Sequence, residues 1–292
     1  MSIPRNHHYV SQVLIKKFLT VNKYYSYYSK LEKKVLTKRL ERKDFAEKDL
    51  NSITDDKNEI DHKTIEDNLN SNFERDFNKY YHSLFKSIET NNLVLFEQSI
   101  KYLIRLGIIG DMRTREHQLE TQNAILGGLS DMYDLFSDEL KQEFSNIIDT
   151  QKPVKNKLPI DFNKLTDEIL YNMGEINYYV FKAHKNHFFF LPDNTSIINR
   201  SKSYEDIKTD DGLTLTSPAA HITMVIYPIN SKTIIATMSQ KINNQYKSGT
   251  FNLSEEMTES YNYSFINNSR DKVICENEKY LNMFINKYRT KL

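Results

Sequence analysis

Two consecutive stretches with helical periodicity, residues 61–90 and 93–117, constrain the fold of this chain more than any other feature. In the first, apolar side chains recur every three or four positions and form one stripe: Ile65, Leu69, Phe73, Phe77, Tyr80, Leu84 and Ile88. In the second, apolar residues cover most of the helix circumference: Leu95, Phe96, Ile100, Leu103, Ile104, Leu106, Ile108 and Ile109. A helix that is apolar nearly all the way round has to be buried, so we expect the second helix inside the protein.

Patterns typical of strands and of further helices occupy much of the remaining sequence. Strand patterns cover residues 24–28, 35–39, 187–191, 222–227, 233–238 and 272–275, and further helix patterns cover 129–148, 161–183, 254–268 and 276–288. We predict an α+β fold: a mainly helical N-terminal half with one β-hairpin, followed by a small, mostly antiparallel sheet flanked by helices.

A solvated connector is predicted at residues 151–159, which contain two prolines and three lysines. It is the best candidate for a boundary between a helical half, residues 1–150, and a mixed half, residues 151–292. A single domain is the alternative, since 292 residues suit either arrangement.

Composition limits the classes of function. The 40 basic and 39 acidic residues nearly cancel, so no global field marks a nucleic-acid or membrane partner. Residues 1–50 are locally basic, with 12 Lys and Arg against 5 Asp and Glu, which most often means a solvated face. Cys275 is the one cysteine, so an intramolecular disulfide and a cysteine-based zinc site are excluded. With no apolar run long enough for a membrane span, we expect a cytoplasmic protein.

The segment His7-His8-Tyr9-Val10-Ser11-Gln12 precedes an apolar helical pattern. Ser11 is a good N-cap residue, which places Arg5, His7 and His8 just before a helix N-terminus, where an anion is favoured. One interpretation is a phosphate or carboxylate site, with Arg5, His7 and Gln12 as ligand-binding residues, or an acid/base group at His8. The other is that the histidines form hydrogen bonds in the core or are solvated.

Charged residues on apolar elements are further candidates. Glu66 lies within the apolar stripe and Glu74 on its edge, and a carboxylate that faces a core is costly unless it is paired or functional. Arg113 ends the apolar helix, and its planar fork suits a phosphate or a carboxylate, although it could simply neutralise Glu66 or Glu74. Asp193 follows a strand pattern, where it is either a metal-ligating oxygen or an ordinary turn residue.

These motifs resemble the HYVPQ-type bacterial domain of unknown function family 4238 over roughly the full length. His8-Tyr9-Val10-Ser11-Gln12 carries the likeness, with Ser11 where the family usually has Pro. Weaker matches are Ile65-Glu66, Phe73-Glu74, the segment 111–115 with Arg115 in place of Pro, Pro192-Asp193-Asn194, and the turn 228–232. The resemblance implies a short hairpin near the N-terminus and acidic residues on the first long helix. It does not imply a reaction.

Two functions are compatible with these residues. Seven glycines and the absence of nucleotide-binding motifs leave His, Glu, Asp and Arg as the chemical groups, which suit metal-assisted hydrolysis of phosphodiesters in nucleic acid or nucleotides. The catalytic residues would be His8, Glu66 and Arg113, and Glu74 and Asp193 would hold a divalent metal. The alternative is a non-enzymatic binding or regulatory module, for example in phage defence, in which these residues form a buried structural network. An open pocket at which they converge would favour the enzyme, and a closed, fully paired interior would favour the module.

Overall fold

In the computed structural model, the helix Leu93–Gly110 lies in the interior of the protein. The structure describes residues 6–54, 60–120, 137–139, 141–142, 161–201, 203–208, 214–219, 221–242 and 247–290. Ile100, Leu103 and Ile104 on this helix have no exposed surface. The helix begins after Asn92, whose side-chain oxygen accepts a hydrogen bond from the Leu95 amide at 3.0 Å. The prediction of a buried helix is confirmed.

The described helices and strands are numbered here in chain order. The α-helices are α1 (Gln12–Ile15), α2 (Thr64–Leu69), α3 (Phe77–Glu89), α4 (Leu93–Gly110), α5 (Phe162–Asn172), α6 (Glu255–Asn268) and α7 (Glu278–Tyr288). Short 3₁₀ turns follow α1 and α4 at Lys16–Phe18 and Asp111–Arg113, and a π-helical turn, Asn70–Glu74, follows α2. The first strands are β1 (Asn6–His8), β2 (Tyr24–Ser29), β3 (Lys34–Arg39), β4 (Ala46–Lys48), β5 (Ile53–Thr54) and β6 (Ile60–Asp61). The later strands are β7 (Ile176–Lys182), β8 (Leu191–Pro192), β9 (Ile197–Arg200), β10 (Ser203–Lys208), β11 (Thr214–Ala219), β12 (Ile222–Asn230), β13 (Thr233–Ser239), β14 (Gly249–Asn252) and β15 (Lys272–Cys275).

Within the described residues, two larger sheets and three strand pairs form. One sheet has the order β14-β7-β13-β12-β9, in which only the β14–β7 pair is parallel. The other has the order β3-β2-β15-β8 and is antiparallel throughout. The pairs are β1–β4, β5–β6 and β10–β11, all antiparallel. The fold is α+β with predominantly antiparallel sheets, as predicted.

Residues from both sides of the predicted boundary share one sheet and one core. Strand β2 pairs with β15 in the register Ser29↔Lys272 to Ser26↔Cys275. Ile274 of β15 packs in the same apolar cluster as Val10 and α4. The connector at 151–159 and most of the helix predicted at 129–148 lie outside the described residues, so the division into two halves stays a prediction.

Four predicted elements differ in the structure. The helix predicted at 93–117 ends at Gly110, and the 3₁₀ turn Asp111–Arg113 follows it. The helix predicted at 161–183 ends after Asn172, because Gly174 adopts a left-handed φ of 72° and the chain continues as strand β7. The strand predicted at 187–191 is buried but reduced to β8, which includes Pro192 at the edge of its sheet, where no ladder donor is needed. The helix predicted at 61–90 is divided into α2, the π-helical turn and α3.

The end of α4 packs directly against the turn that follows β8. A Cβ atom built on Gly110 would lie against the Thr195 side chain and 2.9 Å from the Asn194 carbonyl oxygen. Thr195 itself has a φ of 74°, which is strained for a β-branched residue. The close approach therefore needs glycine at position 110 and holds the 193–196 turn against α4.

We expect Gly110→Ala to lower the free energy of unfolding by about 1–3 kcal/mol, because the added methyl group meets a backbone oxygen that cannot move alone. The measurement is chemical denaturation. Gly249→Ala is the matched control, since its Cβ would lie 3.6 Å from the Phe251 ring, an ordinary contact. Equal stability of the two variants would contradict the close packing.

Candidate functional site

The N-terminal motif forms strand β1 and the start of α1. His7 and His8 pair with Glu47 and Ala46 of β4. Ser11 occupies the N-cap position, but its hydroxyl makes no capping bond and is buried without a partner in the described structure. Because α1 has only four residues, the expected anion site at a helix N-terminus is not supported, since a single turn carries little dipole. Arg5 lies outside the described residues.

His7 is fully buried and its ring orientation is fixed by Asn51. The Asn51 backbone N–H donates to His7 Nδ1 at 2.8 Å, so a neutral His7 carries its proton on Nε2. That Nε2 is buried and has no hydrogen-bond partner in the described residues. The Asn51 side chain donates to Glu66 Oε1 at 2.6 Å, which links His7 to Glu66 through one residue.

His8 is held in the opposite tautomer. Its Nε2 donates to the Arg42 carbonyl oxygen at 2.8 Å, so Nδ1 is the basic nitrogen. Burial lowers the pKa of His8 below its usual value, and the nearby Arg113 guanidinium acts in the same direction. The hydrogen bond to Arg42 opposes this effect on the pKa. A His8 of this kind is neutral at pH 7 and carries a basic Nδ1.

Arg113 is the largest charged group in the interior, with 2% of its side chain exposed. One terminal nitrogen donates to Glu74 Oε1 at 3.1 Å and the other to the His8 carbonyl oxygen at 2.6 Å. Its Nε and the hydroxyl of the buried Tyr227 make no hydrogen bond within the described residues. Burial raises the pKa of Tyr227 well above its ordinary value, and the Glu74 carboxylate adds to the effect. Arg113 thus neutralises Glu74, which is the architectural role considered from the sequence.

Four of the predicted catalytic and metal-binding residues therefore converge. Arg113 contacts His8 and Glu74 directly, and the Glu66 and Glu74 carboxylates lie close enough to oppose, in part, the lowering of the His8 pKa by burial. We call the following residues the motif cluster: His7, His8, Gln12, Asn51, Glu66, Glu74 and Arg113. Gln12, predicted as a ligand-binding residue, belongs to it by position in the motif, and its buried Nε2 has no partner in the described structure. Asn51 was missed because it lies in an irregular turn and carries no recognisable sequence signal.

Asp193, for which the sequence left a metal-ligating role and a turn role open, accepts backbone hydrogen bonds in the structure. Its Oδ1 accepts the Arg270 N–H at 2.8 Å, and its Oδ2 accepts the Asp271 and Lys272 N–H groups at 2.8 and 2.7 Å. Burial raises the pKa of Asp193 in spite of these three hydrogen bonds. Asp193 thus anchors the backbone that enters β15.

The predicted metal ligands Glu74 and Asp193 do not belong to a group of three or more His, Cys, Asp or Glu donors in the described residues, and their metal-binding role stays a prediction. One group of His, Cys, Asp or Glu side chains there has donor atoms within 4.8 Å of one another, and it comprises His184, His187 and Glu255. Both oxygens of Asp193 accept backbone N–H groups near the start of β15. The sequence signal for this second cluster is the pair His184 and His187, two histidines three residues apart.

The arrangement defines an α+β protein in which a half-buried His/Glu/Arg cluster is built around an N-terminal HHYVSQ motif. The chain belongs to the family described as protein of unknown function, DUF4238, whose sequence profile matches residues 6–279. No curated protein and no solved structure matches the chain. Within the described residues, no helix combines the length and the apolarity that crossing a bilayer requires.

We expect Arg113→Met to lower the free energy of unfolding by about 3 kcal/mol, because it leaves Glu74 and the His8 carbonyl without their donor. Urea denaturation measures the change. Arg115→Met is the matched control: its side chain is 66% exposed and its ion pair with Glu47 spans 3.8 Å, so we expect at most about 0.5 kcal/mol. A double variant that adds Glu74→Gln should recover part of the loss, and purely additive effects would contradict direct pairing.

The lowered pKa of His8 predicts a pH dependence of stability. Below about pH 6.5 the unfolded chain binds a proton at His8 before the folded chain does, so the free energy of unfolding falls as pH decreases and levels off below the folded pKa. His8→Gln should flatten this part of the profile, measured by urea denaturation between pH 5 and 7.5. His82→Gln, at an exposed position of α3, should keep the wild-type slope. The same slope in His8→Gln would contradict the assignment.

Proposed function

We propose that the chain is a phosphodiester hydrolase acting on nucleic acid or a nucleotide, with the motif cluster as its active site. The observation that carries the proposal is the state of His8. Its Nε2 is fixed on the Arg42 carbonyl oxygen, and its Nδ1 remains a basic nitrogen beside two carboxylates and a guanidinium. A neutral imidazole oriented by a backbone carbonyl is the arrangement that a general base needs near neutral pH.

In this reaction His8 Nδ1 takes a proton from a water molecule while the water oxygen forms a bond to phosphorus. The bond between phosphorus and the ester oxygen breaks, and the leaving oxygen takes a proton from solvent. His7 Nε2–H and the Gln12 side-chain amide are buried donors without partners in the described residues, and they suit a bound phosphate oxygen.

The carboxylates of the cluster give it the chemistry for a divalent ion. One oxygen of Glu66 accepts from Asn51 and one oxygen of Glu74 accepts from Arg113, which leaves the second oxygen of each without a hydrogen bond among the described residues. Carboxylate oxygens suit Mg²⁺ or Mn²⁺, hard ions that complete their coordination with water and phosphate oxygens. Arg113 acts here as a positioning residue for Glu74 and His8, because both of its terminal nitrogens are engaged.

Basic and aromatic side chains beside the motif support a nucleic-acid substrate. A cavity of about 270 Å³ is lined by Tyr9, Tyr25, Tyr27, Lys38, Lys43, Asp44, Phe45, Ala46 and Lys272. Ala46 is the strand partner of His8, so the cavity lies next to the motif cluster. Lysines attract a phosphate backbone, and tyrosine rings give bases a surface for stacking.

A second candidate is a non-enzymatic binding or regulatory module. The observation that favours it is that Arg113 and Asp193 are both committed to internal hydrogen bonds, as residues of a structural network would be. The same basic cavity would then serve binding alone.

The test is cleavage of a panel of single- and double-stranded DNA and RNA and of linear and cyclic dinucleotides. Each substrate is assayed with Mg²⁺, with Mn²⁺ and with a chelator. We expect metal-dependent cleavage of at least one substrate and a 10²- to 10⁴-fold lower rate for His8→Ala. His82→Ala, an exposed histidine of α3, should keep the wild-type rate.

The outcomes separate the two candidates. Equal rates for wild type and His8→Ala would remove the motif cluster from the chemistry. Salt-dependent binding of nucleic acid without cleavage under any condition would leave the binding module as the function. Circular dichroism of His8→Ala shows whether a lost rate reflects lost folding.

A further inference from the structure

A second polar cluster lies between the end of β7 and the start of α6, outside the motif cluster. His184 and His187 form one turn, in which the His187 N–H donates to the His184 carbonyl oxygen at 2.9 Å. Glu255 lies in the first turn of α6. The two Nδ1 atoms are 3.4 Å apart, and His187 Nε2 is 3.4 Å from Glu255 Oε1.

We propose that His184, His187 and Glu255 bind one divalent transition-metal ion of the zinc class. Ligand atoms about 2.0–2.1 Å from a tetrahedral Zn²⁺ lie roughly 3.3 Å apart, and the 3.4 Å between His187 Nε2 and Glu255 Oε1 is close to this value. One donor atom from each of the three residues lies within 4.8 Å of the others, so an ion needs only small side-chain rotations. His187 contributes one of its two nitrogens to a single ion.

The state of His187 is an independent observation in favour of a ligand. Its side chain is 7% exposed, and its buried Nε2 has no hydrogen-bond partner in the described residues. A buried polar nitrogen without a partner is costly, and a metal bond would satisfy it. His187 is also fixed by edge-to-face packing on the Tyr280 ring, at 5.2 Å between centroids.

The surrounding residues hold the cluster in place. The His184 N–H donates to Thr258 Oγ1 at 3.1 Å. Glu259 is buried and 4.0 Å from His187 Nε2, and its oxygens are occupied by Lys287 at 2.9 and 2.7 Å and by the Tyr288 hydroxyl at 2.8 Å. Glu259 is therefore a fixed neighbour of His187 whose charge is paired with Lys287, while Glu255, half exposed, completes the ligands.

The donor set selects the kind of ion. Two imidazole nitrogens and one carboxylate oxygen suit Zn²⁺, Co²⁺ or Ni²⁺ and disfavour Mg²⁺ and Ca²⁺, which prefer oxygen donors. Three protein ligands leave a fourth position for water, the pattern of an open zinc site. This proposal does not depend on the hydrolase proposal, because it uses other residues packed in a different apolar cluster.

The test uses the full chain, freed of metal with a chelator, and ZnCl₂ or CoCl₂ as the probe. Isothermal titration should give one strong Zn²⁺ site, Co²⁺ should give the visible absorption bands of a tetrahedral complex, and Zn²⁺ should raise the melting temperature because it binds the folded state. His184→Ala and Glu255→Gln change exposed or half-exposed side chains, so we expect both to fold and to bind Zn²⁺ at least tenfold more weakly.

Glu168→Gln is the control, since Glu168 is an exposed glutamate of α5 outside this cluster, and it should bind Zn²⁺ like wild type. The proposal is overturned if Zn²⁺ leaves the melting temperature of wild type unchanged. It is also overturned if His184→Ala and Glu255→Gln bind Zn²⁺ as wild type does, because the ion would then use other histidines of the chain.

Discussion

The geometry of the motif cluster depends on the hydrogen bonds of the buried Arg113 guanidinium. The guanidinium joins the end of α4 to the Glu74 carboxylate and to the backbone of β1. Removing such a charge from water costs several kcal/mol unless its hydrogen bonds are made. The position of Arg113 at the end of α4 therefore requires the Glu74 carboxylate and the His8 carbonyl as hydrogen-bond acceptors. The position of His8, and with it the geometry of the motif cluster, follows from this requirement.

Two buried or partly buried aspartates also fix backbone through hydrogen bonds, in the sheet β3-β2-β15-β8. Asp193 accepts three successive N–H groups at the start of β15, and Asp271 accepts the Ser29 hydroxyl at 2.8 Å and the Leu31 N–H at 3.0 Å at the turn after β2. Each carboxylate fixes backbone that has no regular partner there. The β2–β15 pairing therefore has a polar clamp at one end and the apolar core below it, where Tyr25 and Ile274 are buried.

The elements that the sequence predicts well are those whose signal is local and long. Helix α4 is one, because apolar residues cover most of its circumference over eighteen residues and have to be buried. The β12–β13 hairpin is another, since two apolar strands flank a short turn. The periodicity of segment 161–183 predicts one helix because the spacing of Ile176 and Val180 fits both a helix and a strand. The left-handed Gly174 separates helix α5 from strand β7. The meeting of His8 with Glu74 and Arg113 was expected from the chemistry of unpaired charges. The role of Asn51, and the backbone bonds that fill Asp193, depend on long-range contacts that no local pattern encodes.

The pairing of β2 with β15 also has a consequence for how the chain folds during synthesis. Ser29 and Lys272 are partners in the sheet, so the inner edge of the tyrosine-rich hairpin stays open until residue 272 has left the ribosome. An open strand edge rich in tyrosine invites pairing with other chains, and contacts so distant in sequence close slowly. Chains that stop before residue 272 would expose this edge permanently and would be substrates for chaperones and proteases.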